Sequence, residues 1–197
     1  MAAKAKPVKV KSSNIQVYLG ITADATTGSR VGAGMDGLTI NPNPQTEEYG
    51  DVVSDTSTTD VTGYTVSIEG TGRVLKGNPV YDKVLELFRN KATLSDAELP
   101  VWIAYVFNGK GKTTPISEGV AVEGTYDTDY YDSAAVSLSS IELSSNGAAL
   151  QFGITINCNV DPVKGGAKLT IPEGGKIANA TDITEFVAGK FTADPVV

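Results

Sequence analysis

The segment "FNGKGKTTP", residues 107–115, contains the Gly-Lys-Thr arrangement that phosphate-binding loops use. Such a loop also needs a glycine five residues before the Gly-Lys pair, so that its backbone N–H groups can surround the phosphates. Val106 occupies that position. The loop must also lead into a helix, whose N-terminus attracts anions, whereas the residues after Pro115 alternate like a strand. The spacing therefore indicates an exposed hairpin loop and no nucleotide site.

Two groups of carboxylates have the residue types of a metal site or a hydrolase. Asp127, Asp129 and Asp132 lie close together in "YDTDYYDS", but the segment lacks the glycine and the distal glutamate of an EF-hand loop. We expect them on a solvated turn between strands. Glu47 and Glu48 are adjacent, so in a strand they would point to opposite faces and could not share a substrate. We therefore predict no metal, no cofactor and no enzymatic activity.

The absence of certain residue types excludes further classes of function. The chain has no histidine, which removes the commonest general base and metal ligand. Its single Cys158 lies on the apolar side of "FGITINCNV", which predicts a buried, unreactive thiol. The lysines near the N-terminus are followed by no apolar segment, so we expect no secretion signal. No run of 18 apolar residues occurs, and we expect no membrane insertion.

Charge is distributed unevenly along the 197 residues, which carry a net charge of −7. The intervals 31–72 and 113–163 each contain seven acids and no Lys or Arg. Four lysines are concentrated at the N-terminus: Lys4, Lys6, Lys9 and Lys11. Segregation of opposite charges indicates either that this basic arm contacts an acidic face of another subunit or that it is an ordinary solvated tail.

Alternating apolar residues predict strands. Residues 14–22 place Ile15, Val17, Leu19 and Ile21 on one side of a half-buried strand, and residues 63–70 place Tyr64, Val66 and Ile68 inward. The segment "LPVWIAYVF" is apolar on both sides, which predicts a central strand with Trp102 in the core. Residues 41–60 are polar and without periodicity, which predicts a long loop.

One helix is predicted, over about residues 79–90. Asn78 is a favourable N-cap and Pro79 suits the first helical position. Val80, Val84, Leu87 and Phe88 form one apolar stripe. A short helix with one such stripe is expected to lie across a sheet.

Residues 134–159 predict a long hairpin whose turn is Asn146-Gly147. The apolar positions change side at Ser139-Ser140, which indicates a β-bulge. One face of the hairpin is apolar and the other carries small neutral polar groups, with Glu142 as its only charge. Exposed sheet faces normally carry Lys and Glu. The polar face is therefore expected either to be covered by a polar partner or to line a surface that must not bind what passes it.

The order of these features resembles the major tail tube proteins of long-tailed bacteriophages. The resemblance covers roughly residues 14–160 and is carried by "VTGYTVSIEGTGRVLKGNPVYDKVLELFRN", the strand "LPVWIAYVF", the acidic segment 118–147 and the closing strand "ALQFGITINCNV". It implies a mainly β fold, an antiparallel sandwich or barrel with one short flanking helix. We expect an N-terminal arm at 1–13, the tail-tube domain at 14–161 and a C-terminal extension at 162–197.

The resemblance also implies a function. Such proteins form hexameric rings that stack into a hollow tube, the conduit through which DNA passes without specific binding. The implied partners are other copies of the chain and tail proteins such as the tape measure, terminator and baseplate or tip proteins. The implied location is the virion tail, assembled in the host cytoplasm.

The resemblance assigns roles to two sets of residues. The expected lumen-lining residues are Ser137, Glu142, Gln151, Thr155 and Asn157. The expected ring-stacking residues lie in the long loop and are Asn43, Gln45, Glu47, Glu48, Tyr49, Asp51 and Asp55.

The alternative that the sequence leaves open is a secreted or surface β-sandwich, such as a carbohydrate-binding or adhesive module. Those modules usually expose aromatic rings for stacking on sugars, and they need a secretion signal. An acid-pair hydrolase and a tail terminator or connector protein of related fold are weaker alternatives.

Overall fold

The computed structural model describes residues 14–32, 34–50, 57–106, 112–113, 122–123, 125–143, 150–173 and 179–189. The chain divides into two compact units. Unit 1 comprises residues 1–32, 99–132 and 162–197, and unit 2 comprises residues 33–98 and 133–161.

The described residues form thirteen strands, one α-helix and one short 3-10 helix. The strands are β1 Ile15–Leu19, β2 Gly28–Arg30, β3 Met35–Asn41, β4 Pro44–Gly50, β5 Ser57–Tyr64, β6 Ser67–Arg73, β7 Glu98–Tyr105, β8 Lys112–Thr113, β9 Val122–Glu123, β10 Thr125–Glu142, β11 Gln151–Cys158, β12 Val163–Thr170 and β13 Asp182–Ala188. The helix α1 is Pro79–Arg89, and the 3-10 helix is Leu94–Ala97. The predicted mainly β fold with one short helix is confirmed. No helix in the described part of the chain is long and apolar enough to cross a membrane.

Unit 1 is an antiparallel barrel. Its strands follow the order β12, β13, β2, β1, β7 and then the first half of β10. That half of β10 also pairs with β12, from Thr125↔Lys168 to Tyr130↔Val163, so the six strands close on themselves. A closed barrel leaves no strand edge for another chain to pair with.

An aromatic cluster fills the barrel. Trp102 on β7 is 1% exposed and stacks on Tyr130 of β10, with ring centroids 5.1 Å apart. Tyr130 contacts Phe186 of β13 at 5.0 Å. Gly28 lies under the indole, because a Cβ there would approach the Trp102 ring to 2.7 Å. The expectation that Trp102 belongs to the core is confirmed.

Two expectations about unit 1 need correction, one about β1 and one about the aspartates of β10. β1 is covered on both sides, since Gln16 and Tyr18 are buried along with Val17 and Leu19, while Ile21 is exposed beyond its end. The strands β12 and β13, which lie in the segment 162–197, belong to the barrel and contribute Ala167 and Ile183 to its core.

The aspartates 127, 129 and 132 lie inside β10 and not on a turn. Asp129 accepts a hydrogen bond of 2.8 Å from the Tyr105 hydroxyl. The described residues contain no group of three or more Cys, Asp or Glu side chains placed to hold a metal ion. The motif residues Lys112 and Thr113 form β8, which pairs with β9, and the rest of that segment lies outside the described residues.

Unit 2 contains a four-stranded antiparallel sheet in the order β3, β6, β11 and the second half of β10. The hairpin of β10 and β11 is confirmed, although its Asn146-Gly147 turn lies outside the described residues. The predicted bulge is also confirmed, because the register shifts between Leu138 and Ser140. Without that extra residue, Ile141 would lie on the polar face; with it, Ile141 pairs with Phe152 on the apolar face.

Helix α1 begins where the sequence predicts. The Asn78 side chain accepts hydrogen bonds from the backbone N–H of Val80 at 3.0 Å and of Tyr81 at 3.1 Å. Val80, Val84 and Leu87 are buried, and Tyr81 packs edge-on against Phe152 of β11 at 5.1 Å. Phe88 was predicted to belong to the buried stripe, but it is 56% exposed, whereas Tyr81, which was not assigned to that stripe, is buried.

We expect Asn78→Ala to destabilise the protein by about 1 kcal/mol, because two helix N–H groups lose their acceptor. Urea unfolding followed by circular dichroism measures the change. Asn78→Asp keeps the acceptor and is the matched control. A cost as large for aspartate as for alanine would contradict the role of the cap.

The segment 41–60, predicted to be a loop without secondary structure, is instead largely a two-stranded ribbon. β4 and β5 pair from Pro44↔Tyr64 to Gly50↔Ser57, with a register shift between Gln45 and Thr46. Periodicity did not reveal these strands because neither side of the ribbon is buried: the described side chains of β4 are exposed. Tyr64 was predicted to be inward and is 61% exposed at the end of β5.

Candidate assembly surface

The sheet of unit 2 has one apolar face and one polar face. On β11, Phe152, Ile154 and Ile156 are buried on the side of α1. The intervening residues Gln151, Thr155 and Asn157 point the other way, and Gln151 and Asn157 are exposed. Alternation along a strand therefore produces the two faces that the sequence predicted.

The structure brings the five expected lumen residues onto this polar face. Ser137 is paired with Thr155, and Glu142 is paired with Gln151. The Ser137 hydroxyl lies 3.5 Å from the backbone carbonyl oxygen of Thr155. Asn157 is paired with Ala135. Their common face agrees with the expectation, while their place in a lumen remains a prediction.

Two further strands widen the polar face, and sequence reasoning assigned neither to it. β6 pairs with β11 through Glu69↔Thr155 and Arg73↔Gln151. β3 continues the face through Thr39↔Glu69. The outward alternation of Ser67 and Glu69 was visible in the sequence. The sequence did not show that β6 pairs with a strand about ninety residues later, because no local pattern encodes that pairing.

The polar face carries few charges. Among its described residues Glu69 and Glu142 are acidic and Arg73 is basic. The Arg73 Nε atom lies 3.9 Å from the Asp36 carboxylate, and both side chains are more than half exposed. Such a pair contributes little to stability, but it offsets the one cation on the face. A shallow polar recess of about 430 Å³ lies here, lined in part by Thr39, Glu69 and Thr155.

The ribbon of β4 and β5 is a second exposed surface, and it is acidic. Glu47 lies directly opposite Asp60. The Tyr49 hydroxyl donates to the Glu47 carboxylate, and this hydrogen bond raises the pKa of Tyr49. The expected stacking residues Asn43, Gln45, Glu47, Glu48 and Tyr49 are all exposed.

The other expected stacking residues, Asp51 and Asp55, lie outside the described residues, as do the four lysines of the N-terminal arm. Their predicted roles therefore stay predictions.

Burial is the main cause of a raised pKa for five groups: Tyr18, Tyr105, Tyr126, Tyr130 and Cys158. It raises the pKa of the Cys158 thiol to about 12. It also raises the pKa of Tyr18, and that of Tyr105, where the hydrogen bond to Asp129 adds to the effect. The expectation of a buried thiol at position 158 is confirmed.

We expect stability to fall as the pH rises above about 9, because the unfolded thiol then loses its proton while the folded one keeps it. The unfolded state binds fewer protons in this range, so alkaline pH favours it. Urea unfolding at pH 8 and pH 10.5 measures the loss. Cys158→Ala is the control and should show a smaller loss, whereas equal stability at both pH values would contradict the prediction.

Comparison with known proteins gives likenesses of fold. No family model matches the sequence, and no curated protein matches it. A chain from a structure described as the tail of an empty gene transfer agent (GTA) particle, with C6 symmetry, has a TM-score of 0.48 and 12% identity, and the match covers 78% of this chain and 97% of that one.

Two tube-terminating assemblies also match. A chain from the sheath/tube terminator of an extracellular contractile injection system has a TM-score of 0.46 and 15% identity, covering 82% of this chain and 99% of that one. A chain from the tube-terminating cap of the anti-feeding prophage has a TM-score of 0.44 and 17% identity, covering 80% and 95%. All three of these chains come from tail or tube assemblies, and their identity to this chain is low.

Proposed function

We propose that the chain is a structural virion protein that self-assembles into hexameric rings, stacked as a hollow tail tube through which DNA enters the host cell. The observation that carries this proposal is the polar face of the unit 2 sheet. Four adjacent strands present hydroxyl and amide side chains there, with Arg73 as the one basic residue among those described.

The chemistry of this face suits a channel for DNA. A lysine or arginine that faces the channel would neutralise phosphates and release their counterions, which strengthens binding and would retard the DNA. Hydroxyl and amide groups at Thr39, Thr155 and Asn157 carry no charge, and Glu69 and Glu142 repel the phosphate backbone.

The strand order supports assembly through the sheet. The strand order ends at β3, and the second half of β10 pairs with β11 from Ala134 to Glu142. A strand at the end of a sheet presents backbone N–H and C=O groups that can pair with another chain. Pairing of β3 from one copy with β10 of the next would join the sheets of a ring into one barrel, and the polar faces would form its inner wall.

The remaining assignments belong to the same proposal. The basic N-terminal arm would contact an acidic face of a neighbouring subunit. Tape measure, terminator and baseplate or tip proteins would be its partners in the virion tail, after assembly in the host cytoplasm. The alternative of a sugar-binding module gains no support from the single tryptophan, which is buried in the barrel of unit 1; the exposed aromatic rings among the described residues include Tyr49, Tyr64 and Phe88.

Negative-stain electron microscopy of the purified protein tests the proposal. We expect rings or hollow tubes, held by subunit interfaces of more than ~1,000 Å². A monomer that stays monomeric on concentration, as judged by light scattering, would overturn it.

A further inference from the structure

We propose that the groove between α1 and β10 in one copy holds the apolar side of β3 from the next copy. We name this surface the helix groove and define it by Leu87, Phe88, Ala92, Val136 and Leu138. The inference rests on the proposed function, because it concerns neighbouring copies in a ring. It goes beyond the pairing of backbones, since it makes α1 the element that recognises the neighbour's side chains.

The helix groove is apolar and partly open in the single chain. Its volume is about 370 Å³, and it lies between the C-terminal end of α1 and the second half of β10. Phe88 at its border is 56% exposed. Burial of an aromatic ring contributes strongly to an interface, so an exposed phenylalanine beside an apolar groove suits a partner surface.

The helix groove runs along the side of β10 that faces away from β11. Val136, Ser137 and Leu138 are consecutive and all line it, although their side chains alternate between the two faces of the sheet. β11 pairs with the same three residues, yet none of the described lining residues belongs to β11. A strand added on the free side of these residues would therefore lie in the groove, with alternate side chains against the end of α1.

β3 has the composition that such a strand requires. It is the last strand in the order of the sheet. Met35, Leu38 and Ile40 lie on its apolar side and are only half-buried in the single chain. A neighbouring copy that covered these side chains would remove apolar surface from water on both partners.

The register of the sheet places the apolar side of β3 on the correct face. Leu38 pairs with Gly70, Gly70 with Ile154, and Ile154 with Leu138. Leu38 and Leu138 therefore lie on one face, the face on which Tyr81 of α1 packs. Because β3 runs antiparallel to β10 within the sheet, and rotation about a ring axis keeps the axial direction of each strand, β3 of the next copy would also run antiparallel to β10 and present Leu38 to the groove.

The charges on the two surfaces are of opposite sign. Among the described residues that line the helix groove, the charged ones are Arg89 and Lys91. The charged residue of β3 is Asp36. It also lies 3.9 Å from Arg73 of its own copy, and both side chains are more than half exposed. Exposed pairs contribute little, so the apolar side chains carry most of the contact.

Substitution of Phe88 tests the inference in the full chain. Phe88→Asp should raise the protein concentration that gives half-maximal ring formation roughly tenfold or more, as measured by light scattering, because a carboxylate replaces the ring at every interface. The circular dichroism spectrum and the urea midpoint of the dilute subunit should change little, since Phe88 is mostly exposed there. Leu94→Asp is the matched control and should leave ring formation unchanged, because Leu94 is 86% exposed but is not among the described residues that line the groove.

Chemical cross-linking locates the contact. Protein carrying Leu38→Cys is mixed with protein carrying Ala92→Cys, and a short bismaleimide should join them into a dimer that neither variant forms alone. The native Cys158 is buried and should not react. Rings from Phe88→Asp at the wild-type concentration, or rings of the mixed cysteine variants that do not cross-link, would overturn the inference and leave the proposed function intact. A wild-type protein that forms neither rings nor tubes would overturn both.

Discussion

Virions that carry Asn157→Lys are expected to assemble and to deliver their DNA poorly. Asn157 is exposed on the polar face, and its paired neighbours are Ser67 and Ala135. A lysine there lies beside a serine and an alanine, with no large apolar side chain and no carboxylate on either paired neighbour, so the subunit should fold. In the proposed hexameric ring it would place a cationic band around the DNA at every layer, and infectivity should fall roughly tenfold or more.

Thr155→Lys is expected to have a smaller effect at a neighbouring position. Thr155 is paired with Glu69 on β6 and with Ser137 on β10. A lysine at 155 would lie opposite the Glu69 carboxylate, which would offset much of its charge. The loss of infectivity should therefore be largest for Asn157→Lys, smaller for Thr155→Lys and absent for Thr155→Ser.

DNA ejection from purified virions and binding of DNA to assembled tubes measure these effects. Each neutralised phosphate should change the slope of log affinity against log salt concentration by roughly −0.9. Lysine variants that fail to fold would show that these residues belong to the core. Lysine variants that fold, assemble and infect normally would show that the face does not line the DNA path.

The largest effect on stability is expected from Trp102→Ala, at about 3–5 kcal/mol. The indole fills the barrel of unit 1, stacked on Tyr130 and covering Gly28. Alanine would leave a cavity that Tyr130 and Phe186 cannot close without losing their own ring contact. Urea unfolding followed by far-ultraviolet circular dichroism measures the cost without relying on tryptophan fluorescence.

Trp102→Phe is the matched comparison and should cost less than half as much. The indole Nε1 atom is buried and has no hydrogen-bond partner within the described residues. The change to phenylalanine therefore removes no hydrogen bond. Because the chain has two units, its unfolding can occur in more than one transition. The substitution should destabilise the transition in which unit 1 unfolds. A cost of about 1 kcal/mol or less for alanine would contradict the central role of the ring.

Local chemistry explains which elements could be predicted. The N-cap at Asn78, the strand that is apolar on both sides around Trp102 and the change of side at Ser139-Ser140 each depend on a few consecutive residues. Propensity and alternation act over that range. The same alternation separated Gln151, Thr155 and Asn157 from the apolar side of β11, so the core of the candidate surface was predictable.

Other elements depend on partners distant in sequence. The ribbon of β4 and β5 buries neither side, so no periodicity marks it, and only pairing shows that 41–60 is not a loop. Phe88 has the helical spacing of a core residue, yet it is 56% exposed, whereas Tyr81 is buried and packs against Phe152. Spacing alone does not decide which of the apolar side chains on a helix are buried.

By itself, the sequence determined the strand-rich class, the helix over 79–89, the hairpin with its bulge and the two unlike faces of β11. These follow from steric preference and from the cost of burying polar groups, which act residue by residue. Only the tertiary structure decided that β3 and β6 widen the polar face and that β12 and β13 close the barrel of unit 1. Strand pairing uses backbone groups that every residue carries, so partners are selected by the packing of the whole unit and not by any one segment.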